Sequence, residues 1–123
     1  MKKIIIIIFM CITICGCTKS SVELPQSSLI NCETKDALMN EKEDVVLIDV
    51  RTSEEFNEEH LENAINIEYE TIVETLKNND SITFDTHIIV YCRSGNRSSI
   101  AYETLYNAGY KNIYDLGAMS NCV

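Results

Sequence analysis

The sequence predicts an α/β domain, a central and mostly parallel sheet of about five strands with helices on both faces. Three observations point there. Val45-Val46-Leu47-Ile48-Asp49-Val50 and His87-Ile88-Ile89-Val90-Tyr91 are short, nearly continuous apolar runs rich in β-branched residues. That is the composition of strands buried on both faces. Between and after them lie helical patterns: Ile72, Val73 and Leu76 share one face over residues 68–77, as do Ile100, Ala101, Leu105 and Ala108 over 98–108. The two kinds of segment alternate along the chain, as parallel strands joined by helical crossovers must.

The remaining elements follow in chain order. Residues 29–32 suit a short edge strand and 35–40 a short helix before the first buried strand. Residues 64–67 form a second strand candidate and 112–116 a fourth after the run at 87–91. Gly109 stands where a helix C-terminus wants a left-handed residue. The acids crowded between Glu54 and Glu74 read as a solvated helical face without a substrate role. No internal repeat is present.

The N-terminal part has a different character. Lys2 and Lys3 precede an apolar run from Ile4 to Cys15 that includes five consecutive isoleucines. A basic start followed by a short apolar stretch is the pattern of an export signal, and the run falls short of the roughly 20 residues that span a bilayer. It ends in Ile14-Cys15-Gly16-Cys17, which resembles the lipobox of bacterial lipoproteins. The resemblance implies cleavage before Cys17, lipidation of its thiol, and an extracytoplasmic, membrane-anchored protein. The expected organisation is a signal peptide over 1–16, a lipid-anchored tether over 17–28, polar and holding the only proline, and one domain over 29–123.

Charge and cysteine usage narrow the function. Cleavage would remove Lys2 and Lys3 and no acid, moving the net charge from −9 to −11. Such a chain is a poor nucleic-acid binder and is repelled by anionic lipid, so membrane affinity would rest on the acyl chains. Of six cysteines, Cys11 and Cys15 would leave with the signal and Cys17 would carry lipid, leaving Cys32, Cys92 and Cys122. An exported setting permits disulfides. Cys32 and Cys122 either pair, leaving Cys92 free, or stand as two unpaired, partly buried thiols. His60 and His87, with cysteines far off in sequence, make no metal-ligand spacing. No glycine-rich nucleotide loop occurs either, so no cofactor is expected.

Sites in parallel sheets form where strand C-termini lead into helix N-termini. After Tyr91 comes Cys92-Arg93-Ser94-Gly95-Asn96-Arg97-Ser98, running straight into a helix. A thiol placed there meets unpaired backbone N–H groups, the positive end of the helix dipole and two arginines, all of which favour thiolate over thiol. Gly95 permits a tight turn, with Ser94 and Asn96 tolerating turn conformations. A loop curled around the sulfur would form an anion nest fit for a persulfide, with the arginines suited to an oxyanion donor.

These residues resemble the single-domain rhodaneses. Leu47-Ile48-Asp49-Val50-Arg51 carries the resemblance, with Glu55-Phe56, His60 and Ala64-Ile65-Asn66-Ile67, and above all Val90-Tyr91 through Ser98. Ala108-Gly109-Tyr110 and Asn112 to Gly117 continue it. The resemblance implies double displacement. Cys92 accepts sulfane sulfur from a donor such as thiosulfate and passes it to a thiophilic acceptor, cyanide or a thiol. Arg93 and Arg97 would hold the donor, and the backbone N–H groups from Arg93 to Ser98 would stabilise the persulfide. Asp49 and Arg51 would brace the loop by charge pairing, and His60 would be a hydrogen-bonded packing residue.

The sequence departs from the family where Glu59-His60-Leu61-Glu62-Asn63-Ala64 replaces a Gly-His-Ile-Pro-Gly-Ala pattern, leaving Asn63 to take a positive φ. It departs again at the end, where Gly117-Ala118-Met119-Ser120-Asn121-Cys122-Val123 predicts a stunted last helix without tryptophan. There Cys122 is either in the tryptophan's place, linked to Cys32, or a resolving thiol for Cys92. Three other functions compete: a persulfide carrier serving a thiol-containing protein, a non-catalytic binding module, and a related cysteine phosphatase or arsenate reductase. The last places its arginine six residues after the cysteine, whereas Arg97 is five after Cys92.

Overall fold

The structure, a computed structural model, describes residues 29–123. The expected signal peptide over 1–16, the expected lipidation at Cys17 and the expected tether over 17–28 lie outside the described residues. In chain order the elements are α1 (Cys32–Glu41), β1 (Val45–Asp49), α2 (Ser53–Glu58), β2 (Ala64–Asn66), a 3-10 turn (Tyr69–Thr71), α3 (Ile72–Lys77), β3 (His87–Cys92), α4 (Asn96–Ala108), β4 (Asn112–Ala118) and a closing 3-10 turn (Met119–Cys122). The four strands form one parallel sheet in the order β2-β1-β3-β4.

Successive residues of β1 and β3 face opposite sides of the sheet, as the pleat requires. Ile48, Ile88 and Val90 pack with Ile72, Leu76, Ala101 and Leu105 of α3 and α4. Leu47, Ile89 and Tyr91 pack on the other face with Leu61 and Leu116, against which Leu38 and Met39 of α1 and Cys122 are laid. Helices therefore cover both faces, as the sequence predicts. Each fully buried aliphatic side chain contributes about 1.5–3 kcal/mol.

Among the described residues the sheet has four strands rather than the expected five or so. Leu29 makes only a single parallel bridge to Asp115, with Ile30 N–H donating to the Asp115 carbonyl at 2.9 Å. Asn31 then stops the strand: its side chain accepts from Thr34 N–H at 2.8 Å and caps α1, which is longer than the expected 35–40. The acid-rich stretch is not one helical face. It divides into α2, β2, the first 3-10 turn and α3. Thr52 starts α2 with a capping box, Thr52 Oγ1 accepting from Glu55 N–H and Glu55 Oε2 from Thr52 N–H. Asn63 takes φ +65° and Gly109 closes α4 at φ +102°, both as read from the sequence.

Cys32 and Cys122 are joined in a disulfide across 90 residues, their Cα atoms 5.3 Å apart. The bond ties the first turn of α1 to the closing turn, so Cys122 is not a free thiol beside Cys92. Chain entropy in the unfolded state makes such a link worth roughly 2–4 kcal/mol. The Cys32→Ser/Cys122→Ser double variant should therefore unfold at clearly lower urea than the oxidised protein. Coincident urea curves would show that the link adds no stability. Among the described residues no helix is long and apolar enough to cross a membrane.

Candidate active site

Cys92 is the last residue of β3 and wholly buried, and among the described residues it is the free cysteine. Only Arg93, Ser94 and Gly95 separate it from α4, which begins at Asn96, two residues earlier than the sequence pattern suggests. Gly95 takes φ +95°, a conformation glycine alone adopts without strain. That turn points its N–H back at the cysteine: Gly95 N donates to Cys92 Sγ at 3.0 Å. The first-turn N–H groups of Asn96, Arg97 and Ser98 have no acceptor within their own helix, so the positive end of α4 faces the loop.

A second layer holds this turn. Ser98 is fully buried and its hydroxyl donates to the Gly95 carbonyl at 3.0 Å; Ser99 N–H reaches the same oxygen at 3.1 Å. Behind Ser98 lies Asp115, which burial pushes above the usual carboxylate range. Asp115 Oδ1 accepts the Gly117 N–H at 2.8 Å across a bulge, where Val90 pairs with Asp115 but Tyr91 pairs with Gly117. The bulge sets Gly117 against the loop: a Cβ on Gly95 would lie 3.7 Å from Gly117 Cα.

The arginines do not act alike. Arg97, expected to hold the donor, is turned to Glu55 in a two-pronged pair, Nη1 to Oε2 at 2.7 Å and Nη2 to Oε1 at 3.0 Å. The guanidinium, helped by bonds from Thr52, holds the Glu55 carboxyl down at about 2. Arg93 is exposed and lines an open cleft of about 300 Å³ with Arg51, Glu55, Glu58, Glu59 and Met119. Ser94 and Asn96 are exposed on the loop.

Asp49 and Arg51 form a buried pair, with Arg51 Nη2 2.7 Å and Nε 3.1 Å from Asp49 Oδ2. Arg51 Nη2 also donates to the Glu59 carbonyl at 2.6 Å, and Asn66 Nδ2 bonds the carbonyls of both residues at 3.0 and 2.9 Å. The pair braces the chain from β1 to β2 and reaches the site through Tyr91. The Tyr91 phenol shares a hydrogen bond with Asp49 and accepts from Leu61 N–H at 3.1 Å. Burial, first of all, pushes that phenol well above its ordinary value. His60 stacks on Phe56 at 3.8 Å and its Nδ1 donates to the Phe56 carbonyl at 2.8 Å. It stands exposed at the end of α2.

Sequence reasoning missed Glu55, Tyr91, Asn66 and Asp115 as parts of this assembly. The Thr52-x-x-Glu55 spacing was the available signal for Glu55; the others depend on neighbours across the sheet.

Residues 33–120 match the model of the rhodanese-like domain. The chain belongs to that family. Among curated relatives of this rhodanese-like chain, the adenylyltransferase and sulfurtransferase UBA4 of Candida albicans is 38% identical over 89 residues, 66% of this chain and 20% of that protein. Thiosulfate sulfurtransferase PspE of Escherichia coli is 34% identical over 74 residues, 60% of this chain and 70% of that one. The chain thus spans only a fifth of the first of these proteins. Among solved structures, the human single-domain sulfurtransferase TSTD1 superposes with a TM-score of 0.68 at 18% identity, over 77% of this chain and 94% of its own, a likeness of fold.

Proposed function

We propose that the protein is a sulfurtransferase in which Cys92 carries sulfur as a persulfide. The observation that carries the reading is the Gly95 N–H aimed at Cys92 Sγ at 3.0 Å, at the positive end of α4. The Cys92 thiolate attacks the outer sulfur of a donor, thiosulfate or a persulfide. A new S–S bond forms, the donor's own S–S bond breaks, and the electron pair leaves with sulfite or a thiolate. A thiol or cyanide then takes the outer sulfur and returns Cys92 to thiolate. The loop N–H groups stabilise the anionic sulfur without a proton transfer, which leaves no task for His60 as a base.

The three-residue link to α4 suits one sulfur atom rather than a tetrahedral oxyanion. With Arg97 engaged by Glu55, phosphatase chemistry lacks its cation. Turnover from a neutral alkyl persulfide, and from thiosulfate in excess, to a thiol acceptor tests the reading. Sulfur appearing on the acceptor supports it. No transfer from either donor would leave a non-catalytic binding module.

We further propose that Cys17 bears a lipid that holds the domain outside the cytoplasm on residues 17–28. The lipobox-like Ile14-Cys15-Gly16-Cys17 supports this, and a Cys32–Cys122 disulfide suits an oxidising compartment. Cys17→Ala should move the protein from the membrane to the soluble fraction or leave it unprocessed. A variant found in membranes at the processed size would contradict the anchor.

A further inference from the structure

The cleft beside the Cys92 loop has an uneven charge balance. Its walls carry Arg51, Arg93, Glu55, Glu58 and Glu59. Two of the three nearby arginines are already spent inside the protein: Arg51 on Asp49 and the Glu59 carbonyl, Arg97 on both oxygens of Glu55. Each of those pairs is neutral to an approaching molecule. What remains is Arg93 against the exposed carboxylates of Glu58 and Glu59, in a chain of net charge −9. A dianion entering this cleft meets a net negative mouth and a net negative protein, and both slow its approach.

We propose that Glu58 and Glu59 make the cleft selective by charge, so that its sulfur partners are uncharged or cationic thiols and their persulfides rather than dianionic thiosulfate. The inference rests on the sulfurtransferase reading and names the substrate class of the same site. The acids do not touch the reacting sulfur; they act on the local concentration of what arrives. In the step itself, the Cys92 thiolate attacks the terminal sulfur of a donor RSSH. The Cys92–S bond forms as the donor S–S bond breaks, the electron pair departs on RS⁻, and the proton stays on the transferred sulfur until water takes it. A cationic R group gains from Glu58 and Glu59 throughout, and an anionic one loses. Selection of this kind fades as salt shortens the reach of exposed charges to about 8 Å at physiological ionic strength.

The test compares kcat/KM for three donors of one chemistry, the persulfides of cysteamine, mercaptoethanol and thioglycolate, together with thiosulfate. It uses the full domain and its E58Q/E59Q variant at low and physiological salt. In the unaltered protein the order should be cationic, neutral, anionic. The ratio of the anionic to the neutral donor should rise about tenfold in E58Q/E59Q at low salt, and the gap between proteins should shrink as salt is added. Using the neutral donor as reference removes any general loss of activity from the comparison. Equal rates for all charges, or a ratio unmoved by the substitutions, would overturn the selection and leave the sulfurtransferase standing. No transfer from any donor, the neutral one included, would overturn both.

Discussion

Cys92→Ser should abolish sulfur transfer to any acceptor while the protein unfolds at nearly the same denaturant concentration as before. Loss is expected to be complete because the whole covalent sequence passes through one atom, and the hydroxyl of serine is neither acidic enough nor soft enough to take a sulfane sulfur. The fold should persist because a serine hydroxyl can occupy the space of Sγ and still accept from Gly95 N–H, now at 3.0 Å from the sulfur. The cost of placing a hydroxyl in this buried position is then met by that bond. Measured together, turnover and urea unfolding separate the two roles. Residual turnover above background would mean that another group carries sulfur, and the reading of this loop would fail.

Asp49→Ala should be the most destabilising single change among the polar residues described. Asp49 is completely buried and Arg51 nearly so, and the carboxylate takes three bonds from the Arg51 side chain and one from its backbone N–H. Removing it leaves a buried guanidinium whose named partner is the Glu59 carbonyl alone. Breaking a buried pair from one side costs about 3–5 kcal/mol, because the surviving charge stays out of water uncompensated. Equilibrium urea unfolding measures this directly. Activity should fall with stability, since Asp49 also lies against Tyr91, the residue before Cys92. A loss below about 1 kcal/mol, the scale of an exposed ion pair, would show that the pair does not brace the site.

Much of this arrangement is legible in the chain. The β-branched runs that become β1 and β3 announce themselves because both faces are buried and no polar alternation interrupts them. Gly109 and Asn63 could be placed because a left-handed backbone admits few residues. The Cys92 loop is visible because its parts are contiguous: strand, cysteine, glycine and helix start within a few residues. The less legible features depend on partners distant in sequence. Arg97 reads as a donor-binding group, and no local pattern announces its pairing with Glu55, 42 residues away. The bulge that aligns Gly117 with Gly95 comes from the register between β3 and β4, which no local pattern encodes. The short α2 has no apolar stripe, and only its capping box distinguishes it from the solvated run of acids around it. The residues 29–32 looked like a strand because their apolar character is real, but Asn31 caps a helix there instead.

These partnerships also explain why the site differs in emphasis from the expectation. Arg93 and Arg97 are expected to hold the donor and Arg51 to brace the frame; in the structure Arg51 pairs with Asp49 as expected, Arg97 pairs with Glu55, and Arg93 shares its cleft with Glu58 and Glu59. On the proposed sulfurtransferase reading, capture of sulfur would rest on the backbone N–H groups around Cys92 more than on side-chain charge.

The central claim, that Cys92 holds sulfur in transit, is tested most directly by the intact mass of residues 19–123 before and after a neutral persulfide donor, followed by peptide mapping. The account predicts a gain of one sulfur atom, located on the peptide containing Cys92 and removed by cyanide. A folded protein that gains no sulfur, or gains it on another residue, would contradict it.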